Sequence, residues 1–211
     1  MALSELFCSL QGESTWAGLP CVFVRLAGCN LRCRWCDTRH GYDIVMHRTP
    51  EQIIELVRQW EPVRLVEITG GEPLLQSGVI DLMNRLLAAD YTVLLETNGS
   101  LPLDAVPDGV VRICDVKCPG SGEEDSFLDA NLEALRPSRD QLKFVLANRD
   151  DYLFARRFIQ RAPDGLECLF SPVHGLLEPS ALADWIVEDR LPVRLQLQLH
   201  KLIWGADARG V

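Results

Sequence analysis

Cys21-Val-Phe-Val-Arg-Leu-Ala-Gly-Cys29-Asn-Leu-Arg-Cys33-Arg-Trp-Cys36 joins an apolar run to a loop with three cysteines spaced C-x3-C-x2-C. The run reads as a strand, Val22–Ala27, closed by Gly28. Iron–sulfur clusters are usually held by four thiolates. Three thiolates in one short loop can hold three irons of a 4Fe–4S cube and leave the fourth iron open to another ligand. Other chemistry stays open at this point. Structural zinc is closed and tetrahedral, and His40 lies four residues beyond Cys36, close enough for a Cys3His site. A disulfide is less suitable, because three cysteines leave an odd thiol.

The remaining composition bounds the answer. A chain of 211 residues with 47% apolar content suits a single domain, residues 1–211, with an ample core. There is no apolar run long enough to span a membrane, so no membrane partner is expected. The opening Met-Ala-Leu-Ser-Glu-Leu-Phe7 lacks a basic region and does not resemble a secretory signal. Eight cysteines without such a signal point to a reducing, cytoplasmic compartment. With 21 basic against 30 acidic residues the formal charge is −9, and no basic patch suggests a nucleic-acid partner. Arg156, Arg157 and Arg161 read as a solvated helix face. Cys114 and Cys118 could form half of an auxiliary cluster but lack two nearby partners; Cys8, Cys21 and Cys168 read as core thiols.

Strands are predicted at Val22–Ala27, Val63–Thr69, Tyr91–Thr97, Val110–Lys117, Gln141–Leu146, Glu167–Phe170 and Val193–His200. Helices are predicted at Pro50–Trp60, Gly78–Ala89, Ser126–Leu135, Asp150–Gln160 and Pro179–Arg190. Thr49, Pro50 and Gln52 form a helix-start signature. Alternating strands and helices imply βαβ units and a mostly parallel sheet. One face of that sheet is polar: Arg25, Glu67, Asp115 and Lys143 interrupt apolar runs, and Gln196, Gln198 and His200 alternate with leucines. Fully covered parallel sheets read as continuous apolar runs. Here a polar ligand is expected at the strand C-termini, inside an open, incomplete parallel β/α barrel of six or seven strands.

Thr69-Gly-Gly-Glu-Pro73 follows the second predicted strand, Glu96-Thr-Asn-Gly99 the third, and Asp115-Val-Lys117 the fourth. With the cysteine loop, the Gly70–Pro73 turn resembles the radical S-adenosylmethionine (SAM) superfamily. Ser9-Leu-Gln11-Gly12-Glu13-Ser14, Gly18-x-Pro20-x-Val22-Phe23-Val24-Arg25-Leu26-x-Gly28-Cys29-Asn30-Leu31, Trp35-Cys36-Asp37-Thr38 and Gln198-Leu-His200-Lys201 narrow the resemblance to its 7-carboxy-7-deazaguanine synthase family. That resemblance implies an enzyme that converts 6-carboxy-5,6,7,8-tetrahydropterin to 7-carboxy-7-deazaguanine with loss of ammonia, toward 7-deazapurines such as queuosine. A deoxyadenosyl radical takes the hydrogen at C6, the ring contracts, and SAM is regenerated.

The resemblance also implies roles. Cys29, Cys33 and Cys36 hold the cluster. SAM is met by Trp35, Cys36, Asp37, Gly70, Gly71, Glu72, Asn98, Asp115, Val116, Lys117, Ser171, Pro172, Val173 and His174. Trp35 reads equally as adenine packing or core filling. Leu10, Gln11, Gly12, Glu13, Arg25, Thr69, His200 and Lys201 surround the pterin, with Arg25 on its carboxylate. Thr38 supplies a hydroxyl to Mg2+. An electron donor such as flavodoxin or ferredoxin is expected, and dimerisation would help so short a scaffold seal its site. The rivals are an activase of a glycyl radical enzyme, which shares the cysteines and glycine turn, and a non-catalytic Cys3His zinc module.

Overall fold

The computed structural model describes residues 1–211. The helix-start signature forms as its residue types dictate: Thr49 caps Gln52 N–H, and the Gln52 side chain accepts from Thr49 N–H. Helix α1 (Pro50–Arg58) then buries Ile53, Ile54 and Val57 on one face. Each such side chain contributes about 1.5–3 kcal/mol when fully removed from water.

Nine strands form one sheet: β1 (Ala2–Leu10), β2 (Pro20–Leu26), β3 (Met46–His47), β4 (Leu65–Gly70), β5 (Thr92–Thr97), β6 (Val111–Asp115), β7 (Gln141–Leu146), β8 (Glu167–Pro172) and β9 (Arg194–Leu195). Their order is β3-β1-β2-β4-β5-β6-β7-β8-β9. From β2 to β9 neighbours run parallel, whereas β1 is antiparallel to both β2 and β3. The two-residue strands β3 and β9 lie at the edges, so the barrel is open.

The two faces differ in kind. On one, Val22, Val24, Val66, Ile68, Val93, Leu95, Leu142 and Phe144 join the main core with residues of α1, α2 (Val79–Ala88), α4 (Arg149–Phe158) and α5 (Pro179–Glu188). On the other, Cys21, Phe23, Leu65, Leu94, Val111 and Ile113 form a small apolar floor, against which Phe7 and Trp16 pack. Two residues further along, the same strands carry Arg25, Glu67, Glu96 and Asp115, and β7 adds Lys143. The polar face read from the sequence is therefore a charged layer above an apolar floor, at the carboxyl ends of the parallel strands.

Four elements differ from expectation. The N-terminal strand β1 and the edge strand β3 were not predicted, so the sheet has nine strands rather than six or seven. A bulge at Ser4 reverses the side-chain parity of β1, which hides its alternation: Leu3 faces the main core while Phe7 packs on the floor. The predicted strand Val193–His200 shrinks to β9. Beyond it Gln196 donates to Ser14 O, Leu199 N–H donates to Gly12 O, and helix α6 (Leu199–Trp204) begins. The predicted helix Ser126–Leu135 reduces to α3 (Asn131–Ala134). Leu128 N–H instead donates to Gly99 O, and buried Asn131 accepts from Leu103 N–H and donates to Gly99 O and Leu101 O. No helix is long and apolar enough to cross a membrane.

Candidate active site

The cysteine loop leaves β2 at Gly28, whose N–H donates to Gly41 O at 3.0 Å, and is held further along by Arg34 N–H on Ser121 O. Cys29, Cys33 and Cys36 are free, half-buried and on the wall of one cavity. No three His, Cys, Asp or Glu side chains stand close enough to share a single metal ion. His40 turns away from the thiols; its Nε2 lies 3.1 Å from Glu5 Oε2. The Cys3His zinc reading has no geometric support, whereas three soft thiolates without a fourth protein ligand suit a 4Fe–4S cluster. Cys114 and Cys118 lie buried in the main core.

The Gly70-Gly71 turn presses on this loop. Gly71 N–H donates to Leu26 O and Glu72 N–H to Gly28 O at 2.8 Å. A Cβ on Gly71 would collide with the Gly28 carbonyl and Cys29, so glycine is needed for close approach. Glu72 is fully buried behind the turn. Its carboxylate accepts from Leu74 N–H, Thr97 Oγ1 and Asn98 N–H, and burial raises its pKa. Glu72 thus clamps the glycine turn to the Thr97-Asn98 turn, and its side chain does not reach the cavity. Gly71→Ala is expected to lower SAM cleavage by about a hundredfold through misplacement of the cysteine loop, read as 5′-deoxyadenosine formed per cluster, with an unchanged circular dichroism spectrum.

The cavity floor is a network of charge. Lys143, 4% exposed, lies 2.5 Å from both Glu13 and Glu96. Burial alone would lower its pKa, but the two carboxylates outweigh that and raise it well above the usual lysine range. Glu67 accepts from Gln11 Nε2 and pairs with no cation. Burial, then Glu96, push its carboxyl well above the ordinary range. Lys117 pairs with Asp115 at 2.7 Å. Arg25 Nε donates to Glu5 at 2.8 Å, which leaves the two terminal nitrogens of its guanidinium for a ligand. At the rim, Lys201 meets Asp37 at 2.6 Å, and Thr38 Oγ1 donates to Asp37. His200 sits over Gly12, where a Cβ would strike its ring; burial lowers the imidazole pKa.

The structure brings most of the expected residues together. Leu10, Gln11, Gly12, Glu13, Arg25, Trp35, Asp37, Thr38, Thr69, Gly70, Gly71, Asn98, Asp115, Lys117, Val173, His174, His200 and Lys201 all line this cavity with the cysteines. Trp35 also packs on Gly120, at which a Cβ would meet the indole. Val116, Ser171 and Pro172, like Glu72, lie behind the wall: Val116 is in the core, and Ser171 Oγ donates to Gln196 O. Sequence reasoning missed Glu5, on the unpredicted strand β1, and the tail Ala206–Val211, several residues of which line the cavity. It noticed Glu67 and Lys143 as inward-facing without a role. Isolated charges inside apolar strands were the signal available.

Residues 24–118, from β2 through the loop after β6, match the radical SAM superfamily. The chain is 47% identical to 7-carboxy-7-deazaguanine synthase of Koribacter versatilis over all of both chains. It is 48% identical to the protein of that name from Chlorobaculum tepidum, over 99% of this chain and 96% of the relative. The chain belongs to the 7-carboxy-7-deazaguanine synthase family. Its fold is similar to the crystal structure of QueE from Escherichia coli, with a TM-score of 0.78 over 94% of each chain at 22% identity. Membership makes it a radical SAM enzyme, and the family implies a 4Fe–4S cluster and bound SAM. This chain carries the cysteine triad, the glycine turn and the charged floor in one cavity.

Proposed function

We propose that the protein converts 6-carboxy-5,6,7,8-tetrahydropterin to 7-carboxy-7-deazaguanine and ammonia, as one radical SAM domain over residues 1–211. The difference between the two formulas is one molecule of ammonia, so the reaction is redox-neutral and SAM can serve as a cofactor that is regenerated. The observation that carries this reading is that the three cysteines, Arg25 and the charged floor line a single cavity.

A 4Fe–4S cluster on Cys29, Cys33 and Cys36, with SAM on its open iron, would supply a 5′-deoxyadenosyl radical when bound there. The chain's own residues orient the substrate and exclude water. Arg25, aligned by Glu5, offers a planar fork to the pterin carboxylate. Thr38, which with Arg25 flanks Gly41 and whose hydroxyl meets the Asp37 carboxylate, offers oxygen to Mg2+, which prefers oxygen ligands and keeps several waters. Gln11, Gly12, Glu13 and Thr69 line the pterin side, and His200, Lys201 and the tail close it. Asn98, Asp115, Lys117, Val173 and His174 line the SAM side. A small cytoplasmic electron carrier, flavodoxin or ferredoxin, would deliver the electron, and a homodimer would help cover the site.

The test is anaerobic reconstitution with iron and sulfide, then incubation with SAM, reductant, Mg2+ and the pterin, read by mass spectrometry. A deazapurine with released ammonia supports the proposal. Deoxyadenosine formation without that product would redirect it to an activase. Arg25→Lys is expected to lower kcat/KM by roughly tenfold to a hundredfold, since a point charge cannot replace a bidentate fork. Most of the loss should appear in KM.

A further inference from the structure

Glu67 holds neither the cysteine loop nor the Arg25 guanidinium. It stands on β4 at the cavity floor, 3% exposed, among Glu13, Glu96 and Lys143, with Asp115 also facing Lys143. Three carboxylates share this spot with one ammonium. Lys143 touches Glu13 and Glu96 at 2.5 Å each, and Asp115 has Lys117. Arg25 is engaged by Glu5. Glu67 is the carboxyl left without a cation, and an isolated buried carboxylate takes up a proton rather than stay charged.

The direction of its hydrogen bonds follows from Gln11. Gln11 Oε1 accepts from Glu13 N–H at 3.1 Å, and a backbone N–H can only donate. The Gln11 amide therefore turns its Nε2–H to Glu67, and Glu67 Oε2 accepts. The second oxygen of Glu67 receives no hydrogen bond from the protein, and the residue lines the cavity.

We propose that Glu67 is the specificity-determining hydrogen-bond donor of this cavity, presenting the O–H of a neutral carboxylic acid to a carbonyl oxygen or ring nitrogen on the buried edge of a heterocycle. The inference rests on the reading of the cavity as a pterin site. Gln11 fixes the acid's carbonyl oxygen, and the Glu13–Lys143–Glu96 cluster keeps the proton on Glu67 by leaving it no cation of its own. A site built around one buried donor rejects ligands that offer no acceptor there, since the donor would be left unpaired.

The test uses reconstituted holoenzyme and two variants. Glu67→Gln keeps an acceptor for Gln11 and replaces O–H by N–H, so its KM for the pterin is expected within about threefold of wild type. Glu67→Leu removes the donor and should raise KM roughly tenfold to a hundredfold with a smaller change in kcat. Infrared spectra with carboxyl-labelled glutamate need no substrate. Wild type at neutral pH should show a carboxylic-acid carbonyl band that Glu67→Gln lacks. If Glu67→Gln is as impaired as Glu67→Leu, or if no such band exists, the proposal is overturned. Should Glu67→Leu fail to fold, the infrared band and Glu67→Gln still decide. Absence of wild-type turnover would count against the pterin reading, while the infrared band still reports the proton on Glu67.

Discussion

Lys143→Met is expected to destabilise the protein by about 3–5 kcal/mol, the cost of leaving a buried ion pair with one partner removed. The side chain is 4% exposed and holds Glu13 and Glu96 together at 2.5 Å. Methionine matches its length but leaves Glu13 and Glu96 half-buried with no counter-charge. They would then bind protons in the folded state at a higher pH than in the unfolded chain. Groups whose folded pKa is raised contribute stability that is lost as pH rises, so the deficit of Lys143→Met should be largest near pH 8 and shrink toward about pH 5. Thermal melts of wild type and variant across that range read it directly. A constant deficit would mean that Lys143 acts by packing alone. Activity should fall by at least about a hundredfold, because Glu13 and the Gln11 amide it orients would no longer be held in place.

Cys33→Ala is expected to remove activity to background, without unfolding. Cys33 is half-buried in a loop tied by backbone hydrogen bonds from Gly28 and Arg34 and by Arg32 N–H on Glu123, and all of these survive the substitution. With two cysteines left, reconstitution should give no stoichiometric iron–sulfur absorbance and no SAM cleavage. Cys168→Ala is the contrasting control. That thiol is buried in the main core, and its loss should cost about 1 kcal/mol of stability while iron content stays at the wild-type level. Equal iron loss in both variants would contradict the assignment of the cluster to the C-x3-C-x2-C loop.

The cysteine loop and the glycine turn were legible in the sequence because each is local: short spacings carry the chemistry, and a strand precedes both. The parallel core was legible from alternation of helix and strand signals. Other parts depend on residues brought together across the fold. Glu5 aligns Arg25 only because β1 pairs with β2, and the bulge at Ser4 disguises β1 as an irregular N-terminus. Lys143 stood out as a charge in an apolar strand, but its partners come from the loop after β1 and from β5. The end of the chain misled for a different reason. Its leucine–glutamine alternation matches a strand, yet Gln196 and Gln198 spend their amides on Ser14 and Glu13, and the backbone leaves the sheet to cover the cavity. Tertiary hydrogen bonds override local periodicity there.

Hydrogen removal from C6 of the pterin and return to SAM are the steps that set this chemistry apart. The direct measurement is turnover of substrate deuterated at C6, with deuterium followed in product, 5′-deoxyadenosine and SAM. The expected result is 7-carboxy-7-deazaguanine together with deuterium in the 5′ position of recovered SAM. Deuterium confined to solvent, or labelled deoxyadenosine accumulating without a deazapurine, would contradict it.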